Sequence, residues 1–412
     1  MRPRRHRLWT LTLALILLFL MCSVVVLGGQ VRADDAEQVD QGYCLEDNPG
    51  EIEWTRYTES AIVAVGPDGT VYIGSSFTLI ALDGDGHIKW NRTLSGDCGS
   101  LMVRDDGVVI VGEYAHRWWQ NKSYSVIALS PSGDQLWSYS MVGTGFDRTA
   151  ALGEDGEIAL LFRHSNLSED GSYLKITNSV VVLDSDGSLL WMRYFDSYSI
   201  NIACGHDGTV YLVQEGWVEA YDSNGSSEWR LDVGLDSPIF VAPDGTLRIA
   251  GNDKVISITQ NGNKSWEAPI EGALGYYMAI NENGDLFVTC TDRIAVINAR
   301  GEWTMDIPAS DAHQLILSSD DILAVASWNG IRTYEIDGTL RWTADVGCND
   351  LISPVIAPDG SIYVFGYMGD DGSALVKIGN APIDILSVAI VAILAATLVM
   401  FTYLIWKRKY KK

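Results

Sequence analysis

The chain has 412 residues, 47% hydrophobic and 20% charged, with 53 acidic against 29 basic side chains and a net charge of −24. So apolar a composition is not that of a disordered chain. Its acidity repels nucleic acid and anionic headgroups, which excludes both as partners of the main domain. The length would hold two or three ordinary domains, but one internal repeat occupies most of it.

Arg2, Arg4, Arg5 and Arg7 precede an apolar stretch from Leu8 to Gly28, and Val31-Arg32-Ala33 offers small residues at the cleavage positions. Residues 1–33 read as a secretory signal peptide, although the stretch exceeds the usual core of about 7–15 residues, so an uncleaved signal anchor remains the alternative. Residues 34–50 form an acidic linker. Setting aside the five basic residues up to Arg32, the five at the carboxyl end and Asp384 leaves 19 basic against 52 acidic residues between Asp34 and Pro382, a net charge of −33.

The repeat runs over residues 51–378. Trp54, Trp90, Trp137, Trp191, Trp229, Trp266, Trp303 and Trp342 each close the same phrase and mostly lie 36 to 39 residues apart. Between them recur a short apolar strand, a turn, a Val/Tyr-rich strand such as Val71-Tyr72-Ile73, a loop, a third strand and a Gly turn. Four strands per period of about 40 residues define a β-propeller of WD-like repeat architecture. The first turns carry Asp68-Gly69, Asp106-Gly107, Asp155-Gly156, Asp207-Gly208, Asp244-Gly245, Asn283-Gly284 and Asp359-Gly360, which predict two-residue hairpins. Asp320-Asp321 stands at this place in the seventh unit and predicts a looser turn. Each Trp is expected to wedge between neighbouring blades, burying ~150–250 Å² for roughly 4–6 kcal/mol of gross transfer energy. Eight turns and eight tryptophans predict an all-β, eight-bladed propeller of four-stranded antiparallel blades. Because the first Trp precedes the first turn, the amino-terminal strand is expected to complete the last blade, which removes an open sheet edge.

The spacing lengthens to 47 residues between Trp90 and Trp137 and to 54 between Trp137 and Trp191. The extra residues fall in Glu113–Ser123, with His116, Arg117, Trp118 and Trp119, and in Arg163–Asn178. The connection Met141–Arg148, with Phe146, Asp147 and Arg148, lies between them. Up-and-down strands put all three segments on one face, and exposed aromatics with Arg are frequent binding anchors. These seven residues are the candidate partner-binding set, against the plainer reading of a packed or glycosylated elaboration. Sequons at Asn91, Asn121, Asn166, Asn224 and Asn263 fit an exported glycoprotein.

Cys22 belongs to the signal, leaving Cys44, Cys98, Cys204, Cys290 and Cys348. Cys98 and Cys348 are expected in blade connections, within reach of a bridge to Cys44, while Cys204 and Cys290 are expected as buried strand thiols. The six histidines show no metal-ligand spacing. The pairs Asp83/Asp85, Asp184/Asp186 and Asp222/Asn224 have the oxygen chemistry of calcium sites but lack the further ligands of a calcium loop; they read as tight turns. No catalytic, cofactor-binding or metal residue is predicted. At the carboxyl end a charge-free stretch from Ile385 to Trp406 predicts a transmembrane helix over 383–406. The basic tail 407–412 follows, keeping the carboxyl terminus cytoplasmic and the propeller outside in a single-pass topology.

The phrases Ala81-Leu82-Asp83-Gly84-Asp85-Gly86-His87-Ile88-Lys89-Trp90 and Val182-Leu183-Asp184-Ser185-Asp186-Gly187-Ser188-Leu189-Leu190-Trp191 resemble the PQQ-like repeat of the quinoprotein dehydrogenase superfamily. That resemblance implies an eight-bladed fold and a group containing quinone- and calcium-dependent enzymes, an outer-membrane assembly lipoprotein and cell-surface proteins. The enzymes' adjacent cysteine pair has no counterpart here, which points to a non-enzymatic cell-surface branch. The expected function is a membrane-anchored extracellular module that binds or scaffolds a protein or glycan at its outward face, without catalysis or cofactor. A quinoprotein oxidoreductase and a structural envelope component are the alternatives.

Overall fold

The computed structural model describes residues 50–379, apart from 59–61, 115–122, 143–144, 168–173, 197–200, 252, 310, 329, 348 and 369–371. The expected signal peptide, nearly all of the acidic linker, the transmembrane helix, the tail, Cys22, Cys44 and Cys348 lie outside the described residues. No described helix is long and apolar enough to cross a membrane.

The described chain is all β. Strand β1 (Ile52–Tyr57) is followed by β2 (Ile62–Val65), β3 (Val71–Leu82), β4 (Ile88–Val103), β5 (Val109–Tyr114), β6 (Ser123–Leu129) and β7 (Gln135–Val142). Next come β8 (Gly145–Leu152), β9 (Ile158–Leu167), β10 (Leu174–Leu183) and β11 (Leu189–Phe195), then β12 (Asn201–Cys204), β13 (Val210–Gln214), β14 (Trp217–Tyr221) and β15 (Ser227–Asp232). The series continues with β16 (Ile239–Val241), β17 (Leu247–Gly251), β18 (Lys254–Ile258), β19 (Lys264–Pro269), β20 (Ala273–Ile280), β21 (Leu286–Cys290), β22 (Arg293–Ile297) and β23 (Trp303–Pro308). The last strands are β24 (Gln314–Leu317), β25 (Leu323–Ala326), β26 (Gly330–Tyr334), β27 (Leu340–Asp345), β28 (Asn349–Ile356), β29 (Ile362–Tyr367) and β30 (Ser373–Ile378). Within each sheet neighbouring strands pair antiparallel, and adjacent sheets touch through their inner strands, from β2 and β4 of one sheet through β8, β12, the β16–β17 hairpin, β20, β24 and β28 back to β2. The sheets close a propeller ring.

The ring has seven sheets, which corrects the expectation of eight separate blades. Six are four-stranded, and β2 to β7 form one sheet of six strands. The two sequence repeats around Trp90 and Trp137 are fused because β4 stays extended through Asn91–Val103, pairing first with β3 (Thr78↔Thr93) and then with β5 (Leu101↔Val111). The buried carboxylate of Glu113 holds this junction. It accepts hydrogen bonds from the Ser95 hydroxyl, from Ser95 N at 3.4 Å and from the Ser125 hydroxyl at 3.0 Å. Leu94 and Leu101, on either side, are buried in one cluster with Tyr72 and Ile127. Cys98 consequently lies inside β4, not in a blade connection. Cys204 and Cys290 lie in strands as expected, and burial pushes the Cys204 thiol up to about 12.

The amino-terminal strand completes the last sheet, whose order is β1-β30-β29-β28. Ile52 lies opposite Ile378, Gly50 N donates to Gly379 O and Gly379 N to Glu51 O. The two ends of the propeller therefore emerge side by side.

The turns share one geometry, and it is not the two-residue turn expected of Asp-Gly. Gly66 N donates to Thr70 O at 2.8 Å and Gly69 N to Gly66 O at 2.9 Å. Only Gly69 is left-handed, at φ +78°, and Asp68 Oδ1 accepts the Thr70 amide at 3.0 Å. This is a three-residue loop, a type I turn closed by a left-handed residue. The turn at Ser318–Ile322 keeps the same two hydrogen bonds, so it is no looser than the rest. Asp321 takes the glycine position there at φ +59°, a conformation that costs an L side chain roughly 1–2 kcal/mol.

Candidate functional site

The repeat tryptophans are construction, and their geometry separates them from the residues free to bind. Seven of the eight repeat tryptophans lie against the turn glycine of the next unit. A Cβ on Gly262 would come within 2.5 Å of Trp229, one on Gly187 within 2.5 Å of Trp137, and one on Gly50 within 2.9 Å of Trp342. The indole N–H of Trp54, Trp90, Trp137, Trp229 and Trp266 donates to the carbonyl two residues before its glycine, at 2.7–3.1 Å. Trp191 and Trp342 dock on their glycines with no partner for the indole N–H among the described residues. Beneath the docked rings sit Tyr363 (Trp54), Tyr72 (Trp90) and Tyr211 (Trp229). Under Trp266 the place is taken by Arg248, buried, with its guanidinium 5.1 Å from the ring. Its Nη1 donates to Ser257 Oγ at 2.7 Å, while Nε and Nη2 find no partner among the described residues.

Trp303 breaks the pattern and corrects its assignment as a wedge. Every docking Trp stands four residues after a left-handed glycine, as Trp266 follows Gly262; Trp303 stands only two after Gly301. The residue in phase is Met305, which with Ile307 packs over Gly338. Trp303 is 63% exposed, and its indole N–H donates to Asp306 on the same strand.

Of the candidate binding residues, His116, Arg117, Trp118 and Trp119 lie outside the described residues, as does Asn121. Phe146, Asp147 and Arg148 belong to the inner strand β8 and not to a connecting loop; they occupy the irregularity between Phe146↔Phe162 and Ala150↔Leu160. Much of the long segment after Trp137 is ladder, since β9 and β10 pair out to Leu167↔Leu174. Asn166 is on β9. Asn91 on β4 and the turn residues Asn224 and Asn263 are exposed.

The face carrying second-to-third-strand loops and sheet connections holds a cluster that sequence reasoning missed. Ser327 ends the extended run after β25 and folds back, its amide and hydroxyl both donating to Gly330 O at 2.9 and 2.8 Å. Trp328, the next residue, is 56% exposed. The His313 ring, from the preceding connection, meets the indole at 4.0 Å between centroids in an edge arrangement, while His313 N donates to Ala326 O. From the same connection Asp311 takes Arg332 in a two-pronged pair, Nη1 to Oδ1 at 2.7 Å and Nη2 to Oδ2 at 3.3 Å. Bonding to Asp311 raises the guanidinium above its ordinary value. Beside it is a pocket of about 270 Å³ lined in part by Gly330, Arg332, Thr343 and Asp345. One sequence signal was available: Trp328 is out of phase with the repeat, so the ring does not need it.

Two polar groups on the opposite face are structural. Asp83 Oδ1 accepts the amides of Asp85 and His87 at 3.0 and 2.8 Å, closing a turn; these bonds outweigh its slight burial and hold the carboxyl below its usual range. His87 Nδ1 lies 3.4 Å from the same carboxylate. His206 ties three neighbouring turns together, with Nε2 3.1 Å from Ala242 O and Nδ1 against the Glu154 carboxylate.

Sheet order, docked tryptophans and left-handed turn glycines define a seven-bladed propeller of PQQ-like repeats. The chain matches the family described as outer membrane protein assembly factor BamB over residues 36–162 and 122–273, more than half its length, and it belongs to that family. It is similar in structure to BamB from Moraxella catarrhalis, at 15% identity and a TM-score of 0.55 over 77% of this chain and 98% of that one. The Dos1 propeller is similar at 11% identity and a TM-score of 0.56, over 81% and 95%. At these identities the likeness is one of fold. No curated protein matches the chain.

Proposed function

We propose that this chain is a membrane-tethered, extracellular propeller that binds a protein partner through the face bearing Trp328 and performs no catalysis. The observation that carries this reading is the exposed indole of Trp328, fixed by His313 beside the Arg332–Asp311 pair on a domain whose other described tryptophans mostly serve the ring. Rigid aromatics with arginine nearby are typical interface anchors. Membership of a family described by an outer-membrane protein assembly factor is consistent with a scaffolding role. The two chain ends emerge together at Gly50 and Gly379, on the face of the third-to-fourth-strand turns. A membrane segment at 383–406 would keep that face toward the bilayer and turn the Trp328 face outward.

A photo-crosslinking amino acid placed at Trp328 or at Ser226, in the full chain in its native membrane, tests the reading. A discrete protein adduct from position 328 and none from 226 is expected. Adducts from 226 alone, or from neither, overturn it. The membrane orientation is checked by cysteines at the same positions on intact cells: an impermeant maleimide should label 328 faster, and the reverse order would refute the placement.

A further inference from the structure

The pocket beside Trp328 has a chemistry of its own, set by strand register. Gly330 lies opposite Asp345 and Arg332 opposite Thr343 across the β26–β27 ladder. Gly330 carries no side chain and none would fit, since a Cβ there would come within 2.5 Å of Ala344 O, so the wall of the pocket at this point is bare backbone.

The charges in and around this space are unequally committed. Arg332, the only cation among the described lining residues, is bound at Nη1 and Nη2 by Asp311, which leaves that pair neutral toward a guest. Among the described residues the Asp345 carboxylate accepts one amide, Gly347 N at 3.0 Å, and Asp345 is exposed while lining the pocket. The free charge facing a guest is therefore negative. Trp328, next in the chain to the lining residue Ser327, adds an exposed indole of the kind that attracts ammonium and guanidinium groups. A volume of about 270 Å³ falls below the roughly 300–1,000 Å³ usual for whole small-molecule ligands and suits one long side chain. At longer range, an acidic domain steers basic surfaces toward it.

We infer that this pocket receives a lysine or arginine side chain from a basic segment of the partner protein, with Asp345 as counter-ion and Trp328 as the lid of the cation. The inference rests on the docking face proposed above and names the chemistry of what docks there. Thr343 supplies a hydroxyl within the lining, while Arg332 and Asp311 hold the floor rigid.

Fluorescein-labelled octalysine, titrated by anisotropy into the full chain in detergent at physiological salt, provides the probe. Asp345→Asn and Trp328→Ala are each expected to weaken binding at least tenfold. Asp134→Asn, which removes the same charge from an exposed turn of another sheet, should change it less than twofold. Equal losses for Asp345→Asn and Asp134→Asn, or equal binding of a labelled octapeptide of glycine and serine, would overturn the inference, because binding would then follow net charge or nothing specific. A second readout separates the two proposals. If the adduct from position 328 persists at full yield with Asp345→Asn and octalysine binding is unaffected, the cation pocket is wrong and the docking face stands. If wild-type background gives no adduct from 328, the docking face fails whatever octalysine does.

Discussion

Lys377 Nζ lies 2.6 Å from Glu53 Oε2, an ion pair joining the last strand of the propeller to the first. The ammonium is almost fully covered and stands 5.9 Å from the Tyr363 ring. Removing one partner strands a charge in a place water barely reaches, which is the expensive way to break such a pair. Glu53→Ala is expected to cost about 3 kcal/mol. The double variant Glu53→Leu/Lys377→Met, which removes both charges, should cost less than about 1 kcal/mol. Urea denaturation of the three proteins checks this, and a double variant as unstable as the single one would refute it.

Phase relative to the turn glycine, not residue type, decides which outer-strand side chains hold the ring. Trp229→Ala is expected to cost about 3 kcal/mol and Met305→Ala about 1–2 kcal/mol, while Trp303→Ala should stay within about 0.5 kcal/mol. Denaturation midpoints measure all three. A Trp303 loss as large as that of Trp229 would show that the exposed indole is structural after all.

Asp321 stands where the other first turns use glycine, at φ +59°. Asp321→Gly relieves the left-handed conformation, partly offset by the greater freedom of glycine in the unfolded chain. A gain of about 0.5–1 kcal/mol is expected, visible as a higher thermal midpoint; a loss would mean that the Asp321 side chain contributes more than its backbone costs.

Arg248 occupies the place of the stacking tyrosines with two N–H-bearing nitrogens that have no partner among the described residues. Burial lowers its guanidinium from the ordinary value. Arg248→Tyr restores the Tyr–Trp stack seen at Tyr211–Trp229 and removes the unsatisfied donors, each of which costs about 1–3 kcal/mol when buried. Stability is expected to rise by about 1 kcal/mol in chemical denaturation, and a fall would assign Ser257 and Trp266 as sufficient partners for the cation.

His206 faces acceptors at both ring nitrogens, the Ala242 carbonyl and the Glu154 carboxylate. The Ala242 bond, and then Glu154, raise its pKa above the ordinary histidine value, against some loss from burial. A raised folded-state pKa contributes stability that is fully present below the unfolded value of about 6.5 and is lost as pH rises through the folded one. The thermal midpoint of the native chain should therefore exceed that of His206→Gln at pH 5.5 by more than it does at pH 8.5. A gap that does not depend on pH would show that His206 acts as a neutral spacer.

The parts of this fold that sequence reveals are those with local chemistry. A left-handed glycine followed four residues later by Trp, as in Gly225…Trp229, is visible because each has a strict requirement in its own docking contact, φ above zero for Gly225 beneath Trp191 and a large flat ring for Trp229 on Gly262. The fusion of two repeats into one sheet is not visible, since it depends on Glu113 reaching Ser95 across 18 positions. The Trp328 site escapes for a similar reason. Arg332 and Asp311 are 21 residues apart, and the pocket exists because β26 and β27 pair in the register that sets Gly330 against Asp345. Trp303, by contrast, was readable: counting from Gly301 places Met305, not Trp303, in the docking phase.

The strand exchange between β1 and β30 also dictates an order of events during synthesis. Ribosomes deliver about 5–20 residues per second, so β1 emerges many seconds before the strand it pairs with. Its edge must wait while the whole array forms behind it. Contacts of such sequence separation slow folding and come late, and the closing sheet cannot act as a seed. The interior sheets are the ones able to nucleate locally, and the seam is sealed only after the last of them. A chain shortened at either end should thus fail in the same way, leaving an open ring with a bare strand edge exposed to its neighbours.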